Sequence, residues 1–207
     1  MKNLLITFIS IITFGISNAQ KAKFGIKGGL NIANLSISGD SANPTPSPII
    51  GFHVGALVEI KLSDKIALQP ELLYSTQGTK FSLQLPIEGN PVNVDAQIDF
   101  GYINLPLIIK YYASNDFCLE AGPQVGFLTS AEATAKVSGR SATEDVKKLF
   151  NTNDFGLNFG LGYNFNSNLF IQGRYNLGLS NIGKTEAGDN SKTKNSVFSF
   201  SLGYKFN

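Results

Sequence analysis

Residues 154–180 read DFGLNFGLGYNFNSNLFIQGRYNLGLS, and the question they pose is which of their two faces meets water. Phe155, Leu157, Phe159, Leu161, Tyr163 and Phe165 alternate with Gly156, Asn158, Gly160, Gly162 and Asn164. After Asn166-Ser167-Asn168 the alternation resumes, with Leu169, Ile171, Tyr175, Leu177 and Leu179 set against Gln172, Arg174 and Asn176. A period of two specifies β-strands, and a short polar tripeptide between two such runs specifies a tight hairpin. One face of the hairpin is apolar and the other is small or polar. The apolar face packs on a protein core or it faces lipid.

The same period extends over the chain and predicts eight strands, at about 24–35, 49–62, 66–81, 94–113, 117–128, the two strands of the hairpin above, and 196–206. Each reaches the roughly 9–11 residues that a tilted membrane-spanning strand needs. The connections alternate in length. Ser63-Asp64-Lys65, Ser114-Asn115-Asp116 and Asn166-Ser167-Asn168 are tight turns, whereas 36–48, 82–93, 129–153 and 181–195 are longer polar segments. Short turns on one rim and long loops on the other are the pattern of outer-membrane barrels, with turns periplasmic and loops outside. The expected fold is all-β: an eight-stranded antiparallel up-and-down transmembrane β-barrel.

A soluble lipocalin-like binding protein would show the same alternation with its apolar face turned inward. Three features favour lipid on the outside. The polar face is rich in Gly, Asn, Ser and Gln, which suit a narrow lumen. The apolar face ends in aromatics, Phe165, Tyr111, Phe117 and Tyr204 near the turns and Phe155, Phe127 and Phe198 near the loops, as interfacial girdles require. From Phe155 to Phe165 the apolar face rises about 25 Å at a tilt of ~40°, the height of a lipid-facing band.

The N-terminus gives an address. Met1-Lys2-Asn3 is a short basic start, residues 4–16 are largely apolar, and Ser17-Asn18-Ala19 offers small residues for cleavage. Residues 1–19 therefore read as a cleaved signal peptide and 20–207 as one outer-membrane barrel domain. The charged content of 15% is low beside the roughly 25% of soluble domains. A net charge of +2 gives no reason to expect nucleic acid. The single Cys118 cannot form an internal disulfide and reads as a small residue packed inside a strand.

At this point the sequence resembles a known family. GIKGGLNIANL, LQPELLYSTQG, INLPLIIKYY, AGPQVGFL and the closing FSLGYKF are similar to the outer-membrane β-barrel domain family that includes PorT-like proteins. The likeness covers nearly all of the chain beyond residue 19. It implies an integral outer-membrane protein of a double-membraned bacterium and says little about activity. The terminal Tyr204-Lys205-Phe206 resembles the aromatic-x-aromatic end read by the barrel-assembly machinery, although Asn207 follows it.

Strand parity places Lys27, His53, Glu59, Glu71, Lys110, Glu120, Arg174 and Lys205 in the lumen. Their structural reading is a polar plug of paired charges; their functional reading is a proton path, a selectivity filter or catalysis. The structural reading stands first, because small barrels are filled by side chains. Three pairs are expected: Lys110 with Glu120, equidistant from Asn115 on adjacent strands; Glu71 with Arg174 across the lumen; and Lys27 with Glu59. Lone His53 excludes a histidine-rich metal site, and no motif sets a serine beside it. No metal spacing, phosphate loop or paired-carboxylate signature is present, so no cofactor and no enzymatic activity are expected. The expected role is structural or interactive, with a small-solute channel and a lipid-modifying enzyme as alternatives. The partners expected are outer-membrane lipid, the assembly machinery and an unidentified envelope partner, with the barrel itself a monomer.

Two local expectations complete the reading. Ser141 and Glu144 have capping-box spacing, which predicts a short helix with Val146, Leu149 and Phe150 on one face, within an otherwise bland surface loop. Pro70, Pro106 and Pro123 lie inside strands at similar heights and predict a belt of interrupted pairing. In the fourth strand Ile98, Phe100 and Tyr102 share one parity, and Ile103, Leu105, Leu107 and Ile109 the other. If both sets face lipid, a β-bulge must absorb one residue near 102–105. The triplet Asp40-Ser41-Ala42 in the proline-rich first loop resembles an O-glycosylation site.

Overall fold

The computed structural model describes residues 22–39, 45–87, 90–137, 140–184 and 190–206; residues 1–19, expected to be a signal peptide, and the Asp40-Ser41-Ala42 triplet lie outside them. The strands are β1 (Ala22–Ser38), β2 (Ser47–Lys61), β3 (Ile66–Ile87), β4 (Asn90–Tyr112), β5 (Phe117–Val137), β6 (Arg140–Asp145), β7 (Asn153–Asn164), β8 (Leu169–Gly178) and β9 (Lys192–Lys205). Every strand except β6 pairs antiparallel with its neighbour around a ring, and β9 closes on β1 from Gly25↔Lys205 to Ser38↔Lys192. The eight-stranded up-and-down barrel is thus the observed fold.

Its polarity settles the opening question. On β7 the residues Phe155, Phe159, Leu161 and Tyr163 are exposed, whereas Asp154, Asn158 and Asn164 are buried. On β9 Phe198, Phe200, Leu202 and Tyr204 are exposed above buried Ser201 and Lys205. The apolar face looks outward and the polar face inward, which excludes the lipocalin-like alternative. Among the described residues no helix is long and apolar enough to cross a membrane, so crossing falls to the strands.

The tight turns have a local cause. Ser63 Oγ accepts from the N–H groups of Lys65 and Ile66, and Ser114 Oγ from that of Phe117. Asn166 Oδ1 accepts from the N–H groups of Asn168 and Leu169. In each turn a short polar side chain at the first position replaces a ladder bond the chain cannot make while reversing.

The prolines interrupt three neighbouring ladders. Pairing of β2 with β3 skips from Leu57↔Glu71 to Ile60↔Leu68. That of β3 with β4 skips from Pro70↔Leu107 to Leu73↔Asn104, and that of β4 with β5 from Pro106↔Gln124 to Ile109↔Ala121. Each gap matches a missing N–H donor and leaves the register unchanged across it.

Two expectations are corrected here. The register of β4 against β3 is continuous from Tyr111 to Asn90, so β4 carries no bulge against that neighbour. Phe100 and Tyr102 are buried inside the barrel on the same side as Asn104 and Lys110. The extra residue lies on β5: Gly101 pairs with Ser130 but Tyr102 with Leu128, and the inward set changes from Leu128 to Ala131. The expected helix is also absent. Ser141 and Glu144 lie in β6, and the helical turn covers only Lys147–Leu149. RSATED pairs with β5 from Glu132↔Asp145 to Val137↔Arg140, and that pairing prevails over the capping spacing.

The segments read as loops 82–93 and 129–153 are largely sheet. β3 and β4 stay paired to Ile87↔Asn90. β5 pairs with β7 as far as Phe127↔Asn153, then with β6 from Glu132↔Asp145 to Val137↔Arg140. Four strands therefore continue past the rim where β7 and β8 stop.

Candidate functional site

Among the described residues the buried charged side chains gather in the lumen, and glycines shape it. A Cβ at Gly203 would stand 2.1 Å from the Phe170 ring, so this glycine lets Phe170 lie inside the barrel. A Cβ at Gly29 would stand 2.8 Å from His53 Cε1, and its absence lets the imidazole cross β1.

All eight charged or titratable residues expected in the lumen are buried there. Seven form one chain of alternating sign. Lys205 Nζ lies 3.2 Å from Glu59 Oε2, which lies 3.1 Å from Lys110 Nζ. Lys110 Nζ lies 3.5 Å from Glu120 Oε1, directly across the β4–β5 ladder. Glu120 Oε2 lies 2.7 Å from Arg174 Nη2. Arg174 then crosses to Glu71 through two 3.0 Å bonds, from Nη1 to Oε2 and from Nη2 to Oε1. Glu71 Oε2 ends the chain 2.8 Å from Lys27 Nζ. The pairs Lys110–Glu120 and Glu71–Arg174 are present as placed by parity. The pair Lys27–Glu59 is not: Lys27 bonds Glu71 and Gln172, and Glu59 serves Lys110 and Lys205. Lys27 is paired with Gly55 on β2, four positions towards the loop end from Glu59, so adjacency of strands did not mean equality of height.

Neutral side chains bind the chain to the wall. Gln69 donates to Glu71 Oε1 and accepts from Lys110, and Gln172 donates to Glu120 Oε1 and accepts from Lys27. Phe170 offers its ring to Lys110 and Lys205 at 5.6 and 5.4 Å. Cys118 packs beneath the same layer beside Ala67 and Tyr112, 3.8 Å from Glu120 Oε1. Charges this dry hold together only as a connected set, and removing one strands its neighbours at a cost of about 3–5 kcal/mol.

His53 stands one layer towards the loops. The two Nδ2 hydrogens of Asn31 are shared among three acceptors, Phe52 O, Ser75 Oγ and Thr76 O, which leaves Asn31 Oδ1 as an acceptor. His53 Nδ1–H therefore donates to Asn31 Oδ1 at 2.9 Å, and Ser201 Oγ–H donates to Nε2 at 2.8 Å. No sequence motif showed this serine, which lies 148 residues away and reaches His53 through the closing β9–β1 seam. Above comes a polar tier of Gln77, Asn195 and Asp154, with Asn195 donating to Gln77 Oε1 and Ser180 to Asp154 Oδ1. Above that again lies an apolar cap of Leu35, Phe100, Tyr102, Leu128, Ala131 and Ile182. Val146 and Phe150 pack on it, Phe150 edge-on to Phe100 at 4.8 Å, while Leu149 of the same turn stays exposed. Among the described residues no group of three His, Cys, Asp or Glu side chains is placed to hold a metal ion.

A closed ring of eight strands, lipid-compatible outside and charged inside, matches what a family comparison finds. The model of the outer membrane protein beta-barrel domain matches residues 18–184. The chain belongs to this family. It is an outer-membrane protein. Among solved structures, Neisserial surface protein A is similar at 16% identity and a TM-score of 0.54, over 89% of this chain and 99% of that one. Ail, the attachment invasion locus protein of Yersinia pestis, is similar at 15% identity and a TM-score of 0.49, over 90% and 99%. At 16% identity the likeness to Neisserial surface protein A is one of fold. A comparison with curated proteins finds no match.

Proposed function

We propose that this protein is a closed outer-membrane scaffold that carries an extracellular sheet to an envelope or surface partner. The observation behind this reading is the continuation of β3, β4, β5 and β6 beyond the last rung of β7, over a lumen crossed by the charge chain and covered by the apolar cap. Turns at the periplasmic rim and this sheet outside follow the orientation of outer-membrane barrels. The alternating charges obstruct the lumen from wall to wall, and the cap obstructs it again, so the reading opposes a small-solute channel. Single-channel recording on the barrel reconstituted in planar bilayers tests it. The expected trace is flat; stable conductance from a monomer overturns it.

The lipid-modifying alternative has one observation in its favour, the Ser201–His53–Asn31 hydrogen-bonded series. A nucleophilic serine also needs space for a substrate and donors for an oxyanion. Ser201 is buried, and it does not border the small cavity in the lumen. The series therefore reads as a histidine whose two nitrogens are satisfied.

A further inference from the structure

We infer that the lumen holds a small monovalent anion, chloride in the cell, in the cavity directly above the charge chain. The cavity measures about 30 Å³ and is bordered by Lys27, Arg174, His53, Gln124, Asn158 and Asn104 among others. On the same measure a single water needs roughly 10–15 Å³, so a halide-sized ion fits and an organic anion does not.

Charge and donor arithmetic both point to an anion. The alternating chain contains four cations and three carboxylates, which leaves one positive charge in excess within the chain itself, the lumen's fourth carboxylate, Asp154, lying in the tier above it. Two of those cations, Lys27 and Arg174, border the cavity, and no carboxylate does. The next carboxylate above, Asp154, is held by Ser180 and Asn195 and makes no ion pair among the described residues.

Donors remain over once the protein's own bonds are made. Lys27 Nζ donates to Glu71 and Gln172 and keeps a third hydrogen. Arg174 uses four of its five hydrogens on Glu71 and Glu120, leaving one on Nη1. Gln124 accepts from Asn158 at Oε1 and keeps both Nε2 hydrogens. An excess positive charge is costly in a dry interior, and an anion at these donors offsets it.

The experiment measures thermal unfolding of the full-length mature protein in vesicles, with sodium chloride exchanged for sodium gluconate at constant ionic strength. The unfolding midpoint rises with chloride and saturates, by roughly 3–5 °C in all. Two variants remove the dependence. Lys27→Met deletes the excess charge, and Gln124→Glu supplies a fixed anion at the cavity wall, so it is expected to stay folded and chloride-independent. Crystals grown in sodium bromide are expected to show an anomalous peak beside Lys27 Nζ. Equal midpoints in chloride and gluconate, or water without a bromide peak in the cavity, overturn the inference; so does a chloride response that survives in both variants. None of these outcomes depends on whether the outer sheet binds a partner.

Discussion

Two levels of the same lumen are built by opposite rules. Within the lipid band β4 sends Lys110 and Asn104 inward and exposes Ile109 and Tyr111. Two residues further along the same inward row stand Phe100 and Tyr102, and the outward row becomes Asp99, Gln97 and Asp95. β3 changes with it: Glu71, Ser75 and Gln77 point inward below, while above the rim Lys80 and Ser82 are the exposed residues. The backbone period continues through the change. Only the solvent outside has changed, from hydrocarbon to water, and with water outside an apolar interior becomes the stable choice. The barrel is inside-out where it is wrapped in lipid and ordinary where it is not.

That contrast is broken most severely at Arg174. It serves Glu71 and Glu120 together, so Arg174→Ala should destabilise the barrel by about 5 kcal/mol, the upper end for a buried partner removed. Measured by denaturant unfolding in vesicles, the loss should be far smaller when Glu71→Ala is already present. Additive losses in that cycle would mean a hydrated lumen without coupling. The cap should respond differently. Phe100→Ala is expected to cost about 3 kcal/mol, and amide hydrogen exchange should place the loss in 146–150 and the upper ends of β4 and β5. Exchange rising equally through the lipid band would make cap and plug one unit.

Smaller effects sharpen the picture. Ser201→Ala removes one neutral hydrogen bond and should cost about 1 kcal/mol. A small serine-directed organophosphate should leave Ser201 unmodified by mass spectrometry; covalent labelling lost in His53→Ala would restore the enzymatic alternative. Asn166→Ala removes the acceptor for two turn N–H groups at the opposite end from the cap. It should cost roughly 0.5–1 kcal/mol, read as a lower unfolding midpoint without change in the exchange of cap amides.

Fold and plug were legible because lipid imposes a strict period: each of the eight charged or titratable residues that parity assigns to the lumen does lie inside. The misreadings collect where that constraint ends. Phe100 and Tyr102 would face lipid only if apolar always meant outward, a rule that holds only within the band. Residues 129–153 looked like loop because their strands are short, exposed on both faces in β6, and lack the alternation a buried face would impose. Partners within the lumen were partly hidden for another reason. Parity fixes direction but not height, so Lys27 was matched to Glu59 when tilt and stagger bring it to Glu71. Gln69, Gln172 and Asn31 occupied inward positions in plain view. Ser201 could be found only once the ring was closed.

The alternating charges join β9, β2, β4, β5, β8, β3 and β1, leaving out only β7 of the ring strands. During insertion only the β4–β5 hairpin can neutralise its own share, through Lys110 and Glu120; Lys205 waits for Glu59 across the seam, and Arg174 waits for Glu71 from the far side. A partly closed sheet thus carries unmatched charge on its concave, lumen-side face and keeps its water. Dehydration and seam closure become one event, so the chain's final strand acts as the latch of a late, highly cooperative assembly step.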